Sequence, residues 1–153
     1  MNIQLLRIEQ SELKSAWIMQ KIGFWDIFFK YFDIISPVLQ GYKRFSKKAS
    51  CVDMYWIMMN GAKAGEIWIG ERDGIGYLAN LFVLKKYRNQ GIAQRAIALA
   101  EALYPHYNIW RLDTIKQESR NCYVYEKLGY VPTGAEKRIN KRMIIIDYEK
   151  RLN

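Results

Sequence analysis

Histidine is almost absent from this chain, His106 being the single one, and the two cysteines, Cys51 and Cys122, stand far apart. There is no Cys-x-x-Cys and no His-x-x-x-His pairing, so the sequence offers no zinc ligand set, and no metal is expected. Two isolated thiols cannot build a disulfide framework either. Together with the lack of a signal-peptide pattern they read as reduced cysteines of a cytoplasmic protein. Long apolar runs are missing as well: Asp26, Lys30 and Asp33 interrupt the aromatic stretch 24–32, and nothing reaches the roughly 18 residues that a membrane helix needs. A membrane partner is therefore not expected. Also missing are Gly-x-x-x-x-Gly-Lys-Ser/Thr and a Gly-x-Gly-x-x-Gly after a first strand, which removes the main support for nucleotide kinases and dinucleotide-dependent dehydrogenases.

What is present is an ordinary globular composition, 50% apolar or aromatic and 25% charged over 153 residues, enough for a single domain spanning 1–153 with one core. The net charge of +9 is compatible with an anionic partner but does not choose one, and Lys and Arg are spread along the chain. Most of them read as a solvated face, and nucleic acid is not the expected partner.

Hydrophobic periodicity divides the chain into elements. A short strand covers residues 3–8, and Leu13, Trp17, Phe24 and Phe28 then fall at helical spacing, which predicts one helix over residues 11–29. The many aromatics of this first quarter read mostly as core. Ser36-Pro37 predicts the cap and first position of a second helix. The period then drops to two: strands over 53–59, 62–71 and 75–84, joined at Asn60-Gly61 and Asp73-Gly74, form a meander. Ile92, Ala96, Leu99, Ala100 and Leu103 mark the clearest helix, ended by Pro105. A strand at 108–115, a helix at 119–128 stopped by Gly129, and strands at 130–137 and 142–149 complete the chain. The order β-α-α-β-β-β-α-β-α-β-β predicts an α+β fold, a mixed, mostly antiparallel central sheet with helices on both faces.

Chemistry is suggested where the third strand of the meander runs through residues 88–93, Arg-Asn-Gln-Gly-Ile-Ala, into the long helix. The first N–H groups of a helix lack internal partners and carry partial positive charge, so they hold a phosphate when no bulky side chain blocks the approach. Gly91 and Ala93 keep that approach open, Arg88 supplies a charged fork of donors, and Asn89 is placed to cap the helix.

The stretch Leu81-Phe-Val-Leu-Lys-Lys-Tyr-Arg-Asn-Gln-Gly-Ile-Ala93 resembles the central motif of the GCN5-related N-acetyltransferase superfamily, Arg/Gln-x-x-Gly-x-Gly/Ala, met by Arg88, Gly91 and Ala93. Cys122-Tyr-Val-Tyr-Glu-Lys-Leu-Gly-Tyr130 is similar to its second signature. The resemblance implies an N-acetyltransferase that moves an acetyl group from acetyl-CoA to a primary amine of a small molecule or peptide. It implies that the amides of Arg88, Asn89, Gln90, Gly91, Ile92 and Ala93 hold the CoA pyrophosphate, and that Leu81, Phe82 and Val83 offer backbone groups to the pantetheine arm and acyl carbonyl. Tyr125 is implied as donor to the leaving thiolate. Glu118 stands where the family often has an Asn touching pantetheine; Asn121, one turn on, is the candidate substitute. For the base that takes the amine proton, residue chemistry offers Glu66, Asp113 or a water chain. A catalytically silent module of the same fold, binding CoA, nucleic acid or an acidic protein, is the competing reading, and a homodimer is compatible with either.

Overall fold

The computed structural model describes residues 1–152. Its strands are β1 (Ile3–Arg7), β2 (Asp53–Met59), β3 (Ala62–Arg72), β4 (Ile75–Val83), β5 (Ile109–Ile115), β6 (Val131–Arg138) and β7 (Ile144–Arg151), and its helices are α1 (Leu13–Gly23), α2 (Trp25–Tyr31), α3 (Tyr42–Ala49), α4 (Ile92–Leu103) and α5 (Ser119–Lys127). The strands form one sheet in the order β1-β2-β3-β4-β5-β7-β6, antiparallel except where β4 meets β5. The meander β2-β3-β4 follows from its turns. Asn60-Gly61 and Asp73-Gly74 all have positive φ, the backbone of a tight hairpin, which Gly adopts without steric cost and Asn or Asp tolerates.

The two faces are covered separately. Ile92, Ala96, Ile97 and Ala100 of α4 pack with Ile57, Ile67, Ile69, Leu78, Trp110 and Tyr148 on one face, where α5 also docks. Leu13 and Ala16 of α1 and Phe45 of α3 pack with Met54, Trp56 and Trp68 on the other.

The first quarter differs from expectation. The helix predicted over 11–29 is broken at Phe24, whose φ of −101° and ψ of 5° separate α1 from α2. Packing explains the break: Gly23 sits so close to the Phe82 ring that a Cβ there would lie 2.2 Å from Cδ2, and the Phe24 ring meets Phe82 edge-on at 5.2 Å. Ser36 does cap, its Oγ accepting from Val38 N, but only a 3-10 turn over Pro37–Leu39 follows. Trp17 Nε1 and Lys21 Nζ of α1 bond the carbonyls of Gln40 and Val38, holding that segment to α1, and α3 starts only after Gly41. The aromatics are not mostly core either, with Trp25 and Phe29 each 51% and Phe32 58% exposed. Seven residues make α2 too short to bury all the rings clustered on it.

Candidate active site

The site begins with a failure of pairing. β4 and β5 run parallel and bond only at Gly76–Trp110 and Tyr77–Arg111, after which they separate. On its other side β4 slips by one residue against β3, between the rungs Trp68–Asn80 and Ile69–Leu78, which leaves Ala79 as a bulge. A bulge bends a strand and increases its twist, turning the rest of β4 away from β5. The gap opens into a cleft of about 980 Å³, with Phe24, Leu81, Asp113, Asn121, Tyr125 and Asp147 among its walls.

Backbone directions alternate along a strand, so the edge of β4 can be read residue by residue. Leu84 N donates to Ala64 O on β3 at 2.7 Å, and Phe82 O lies over Gly65. Leu81 and Val83 therefore direct their backbone groups the other way, where no strand receives them. Of the three strand residues expected to serve a ligand, Phe82 is spent on β3 and the core, its side chain being buried under Gly23. The Val83 carbonyl is taken by Arg88 Nε at 2.8 Å, which leaves the Val83 N–H.

Arg88 contributes more to position than to charge. Besides Val83 O it bonds Gly23 O through Nη2 at 3.0 Å and Asp26 through Nη1 at 3.3 Å, tying the end of β4 to the α1–α2 corner. The turn then passes through two left-handed residues, Asn89 at φ 65° and Gly91 at φ 75°. Asn89 does not cap the helix as expected: its side-chain oxygen accepts from Arg120 on α5, and the cap position falls to Gly91, which has no side chain. The first amides of α4 are therefore free of any side-chain cap. A Cβ built on Gly91 meets no atom within 4 Å, so the space above the turn is open. Ile92 is buried, leaving only its backbone to that space, and Gln90 is exposed.

Across the gap, Tyr125 and Asn121 of α5 line the cleft. The half-buried Tyr125 makes no side-chain hydrogen bond among the described residues; burial, then the charges of Cys122 and Asp113, hold its pKa above the ordinary phenol value. Glu118 is occupied, accepting from Lys30 Nζ at 2.7 Å and from the Tyr31 hydroxyl, so it anchors α2 to the start of α5. Sequence reasoning did not anticipate this clamp, since residues 87 and 88 positions apart give no local signal.

The two carboxylates considered as bases are in different surroundings. Asp113 stands in the cleft opposite Asp147 of β7, and desolvation followed by that neighbouring charge raises its pKa. Glu66 is fully buried on the α1 side of the sheet, between Trp56 and Phe82 in register. Its Oε1 accepts from Trp68 Nε1 at 3.0 Å while Oε2 has no partner, and burial pushes its pKa up to about 8. Glu66 does not itself line the cleft.

A family model described as an acetyltransferase (GNAT) domain matches residues 30–152. No curated protein matches the chain by sequence. Among solved structures, RimL, a ribosomal L7/L12 alpha-N-protein acetyltransferase in complex with coenzyme A, superposes with a TM-score of 0.76 at 11% identity, covering 98% of this chain and 94% of that one. The PaiA N-acetyltransferase from Thermoplasma acidophilum in complex with coenzyme A gives 0.74 at 16%, with 99% of each chain covered. A GNAT family acetyltransferase from Elizabethkingia anophelis with acetyl-CoA bound gives 0.67 at 15%, again over 99% of each. At these identities the likeness is one of fold.

Proposed function

The chain belongs to the acetyltransferase (GNAT) domain family, and from that premise we propose that it is an N-acetyltransferase moving the acetyl group of acetyl-CoA to a primary amine held in the cleft. The observation that carries this reading is the parting of β4 from β5 directly beside an uncapped, left-handed helix entry. Together they form a place for an extended arm ending in a pyrophosphate.

Acetyl-CoA supplies the activated acyl carbon and a thiolate leaving group. The chain supplies the rest. The amides of residues 90–93 bind the pyrophosphate, with the α4 dipole favouring its charge. Leu81 and Val83 offer the pantetheine arm the unpaired backbone of β4, and the Val83 N–H faces the carbonyl oxygen as charge develops there. Preorganised donors of this kind are worth several kcal/mol to a transition state, on the order of 3 per donor. Arg88 helps by fixing the Val83 peptide.

Glu66 is the proton acceptor we assign. Its unpartnered Oε2 and a pKa near 8 suit removal of a proton from an alkylammonium once the pH approaches about 8, through water because its side chain stands behind the cleft wall. Tyr125 gives its proton to the departing sulfur; the burial that raises the phenol raises a thiolate in the same place, so donor and acceptor stay matched. The ammonium first gives one proton to Glu66; the neutral amine nitrogen then gains the acyl carbon as the C–S bond breaks, Tyr125 protonates the sulfur, and the second nitrogen proton passes through water to restore the Tyr125 phenol.

Acetyl-CoA should raise the melting temperature, because a ligand that binds only the folded state stabilises it. A panel of primary amines with thiol release as readout should then yield turnover. Tight oligonucleotide binding with neither result would favour the silent module.

A further inference from the structure

Large apolar and aromatic side chains that stand more than half exposed are not spread evenly over the molecule. Among the described residues, eight of thirteen fall between Ile18 and Leu39, on the α1–α2 corner and the segment after it. So dense an apolar patch marks a surface that something covers. Along the helices its spacing is regular. Ile18, Ile22, Trp25 and Phe29 follow at i, i+4, i+7 and i+11. The bonds from Phe24 N to Gln20 O and from Phe28 N to Phe24 O carry this crest round the corner. Phe32 extends it from the left-handed region, at φ 49°, which a Phe seldom adopts. Asn140 of the β6–β7 loop holds it there, Nδ2 bonding Tyr31 O at 2.8 Å and Phe32 O at 3.3 Å.

Cations flank the crest on both sides. α3 runs beside α1, its Tyr42 ring 5.5 Å from that of Trp17, and carries Lys43, Arg44, Lys47 and Lys48. On the other side Arg142 lies over the Phe32 ring at 4.6 Å. None of these five makes an ion pair among the described residues. Residues 13–50 hold seven Lys and Arg against two Asp. Neither Asp offsets the flanks, since Asp26 is bonded to Arg88 and Asp33 is buried.

We propose that the α1–α2 corner docks the protein on an anionic lipid bilayer, Trp25, Phe29 and Phe32 entering the headgroup region while α3 and Arg142 meet the phosphates. Aromatic rings on one face with Lys and Arg beside them suit acyl chains under a negatively charged surface. A second copy on the same crest would bring the basic flanks of both protomers together, and like charges oppose that. The expectation of no membrane partner rested on the lack of a run long enough to span; no helix of the described residues is long and apolar enough to cross, and a helix lying along the surface needs no such run. The inference does not depend on acetyl transfer. Phe24 and Ile27 of the same corner line the cleft, so docking sets the cleft beside the bilayer.

The experiment is cosedimentation of the full chain with phosphatidylcholine vesicles containing about one third phosphatidylglycerol, against phosphatidylcholine alone. The protein should pellet with the anionic vesicles only, and raising the salt from about 0.1 to 0.5 M should weaken binding without abolishing it. Trp56, Trp68 and Trp110 are fully buried and Trp25 is half exposed, so the vesicles should shift tryptophan emission to shorter wavelength. Trp25→Phe should lose that shift and still pellet. Trp25→Ser with Phe29→Ser should lower the partition coefficient by about tenfold or more. Lys43→Gln with Lys47→Gln leaves the crest intact and should lower it by about tenfold at low salt. No pelleting with anionic vesicles overturns the proposal, as does equal binding to both compositions. Full binding by Trp25→Ser with Phe29→Ser overturns the assignment of the crest. A dimer in analytical ultracentrifugation that this variant dissociates gives the crest to a second copy instead. Retention on a polyglutamate resin without vesicle binding gives the flanks to an acidic protein, and sinks the bilayer.

Discussion

The two halves of the cleft are built from different materials. The side assigned to CoA is backbone: the edge of β4 past its bulge, two left-handed residues, and the uncapped start of α4, all within residues 79–93. The side assigned to the acceptor is side chains brought from afar, Phe24 from the α1–α2 corner, Asp113 from β5, Tyr125 from α5 and Asp147 from β7. A backbone site tolerates many sequences so long as the turn forms, and it serves a cofactor common to a whole family. A side-chain site can change one residue at a time, which suits the part that selects an acceptor. The two are joined at α2, which Arg88 holds through Asp26 and Glu118 holds through Lys30 and Tyr31.

Tyr125→Phe tests this division most severely. It removes a hydroxyl and keeps the ring, so single-turnover acetyl transfer should fall by roughly 10- to 10⁴-fold, while CoA binding changes little. An unchanged single-turnover rate would reduce Tyr125 to packing against Tyr130 and Tyr148.

On the backbone side, Gly91→Val should weaken CoA binding by about 10- to 100-fold, since the branched side chain fills the open space above the turn. The positive φ adds a folding cost on the order of 1–2 kcal/mol, so the protein should also melt lower. Titration of CoA well below the new melting temperature separates the two effects. Full affinity there would move the pyrophosphate away from the turn.

Smallest in size and sharpest in sign is the pH dependence of Glu66. Its folded pKa of about 8 lies above the ordinary 4.5, so its contribution to stability is complete below about pH 4.5 and is lost as pH rises through about 8. Glu66→Gln does not titrate. The variant should gain on the native protein in melting temperature between pH 5 and pH 9, by about 2–4 °C for each kcal/mol recovered. As the proton acceptor, Glu66 should also set the rising limb of kcat/KM near pH 8, and the variant should lose that limb. Retention of the limb in Glu66→Gln would return the proton to water or to the acceptor side.

Much of the fold was open to reading because its signals are local. Strand β2 falls on the residues that alternation predicted, the Asn60-Gly61 and Asp73-Gly74 turns lie where their dipeptides place them, and α4 begins after the glycine that frees its amides. The turn over residues 88–93, to which we assign the pyrophosphate, is a local motif of the same kind. The first quarter was misread because its outcome depends on a distant residue: Phe82 presses on Gly23 and ends α1, and rings that look like core on a helical wheel have no second layer to cover them.

The sequence by itself determined the succession of the seven strands, the family and the place of the turn before α4, since each rests on residues that are neighbours in the chain and on dihedral preferences that act over a few bonds. Only the tertiary structure decided that β4 parts from β5, that Arg88 and Glu118 are occupied in holding α2, that Asn89 does not cap, and that Asp113 faces Asp147. Those outcomes depend on strand register and on contacts between residues 31 to 88 positions apart, for which burial and charge compete in space and leave no mark in the spacing of the sequence.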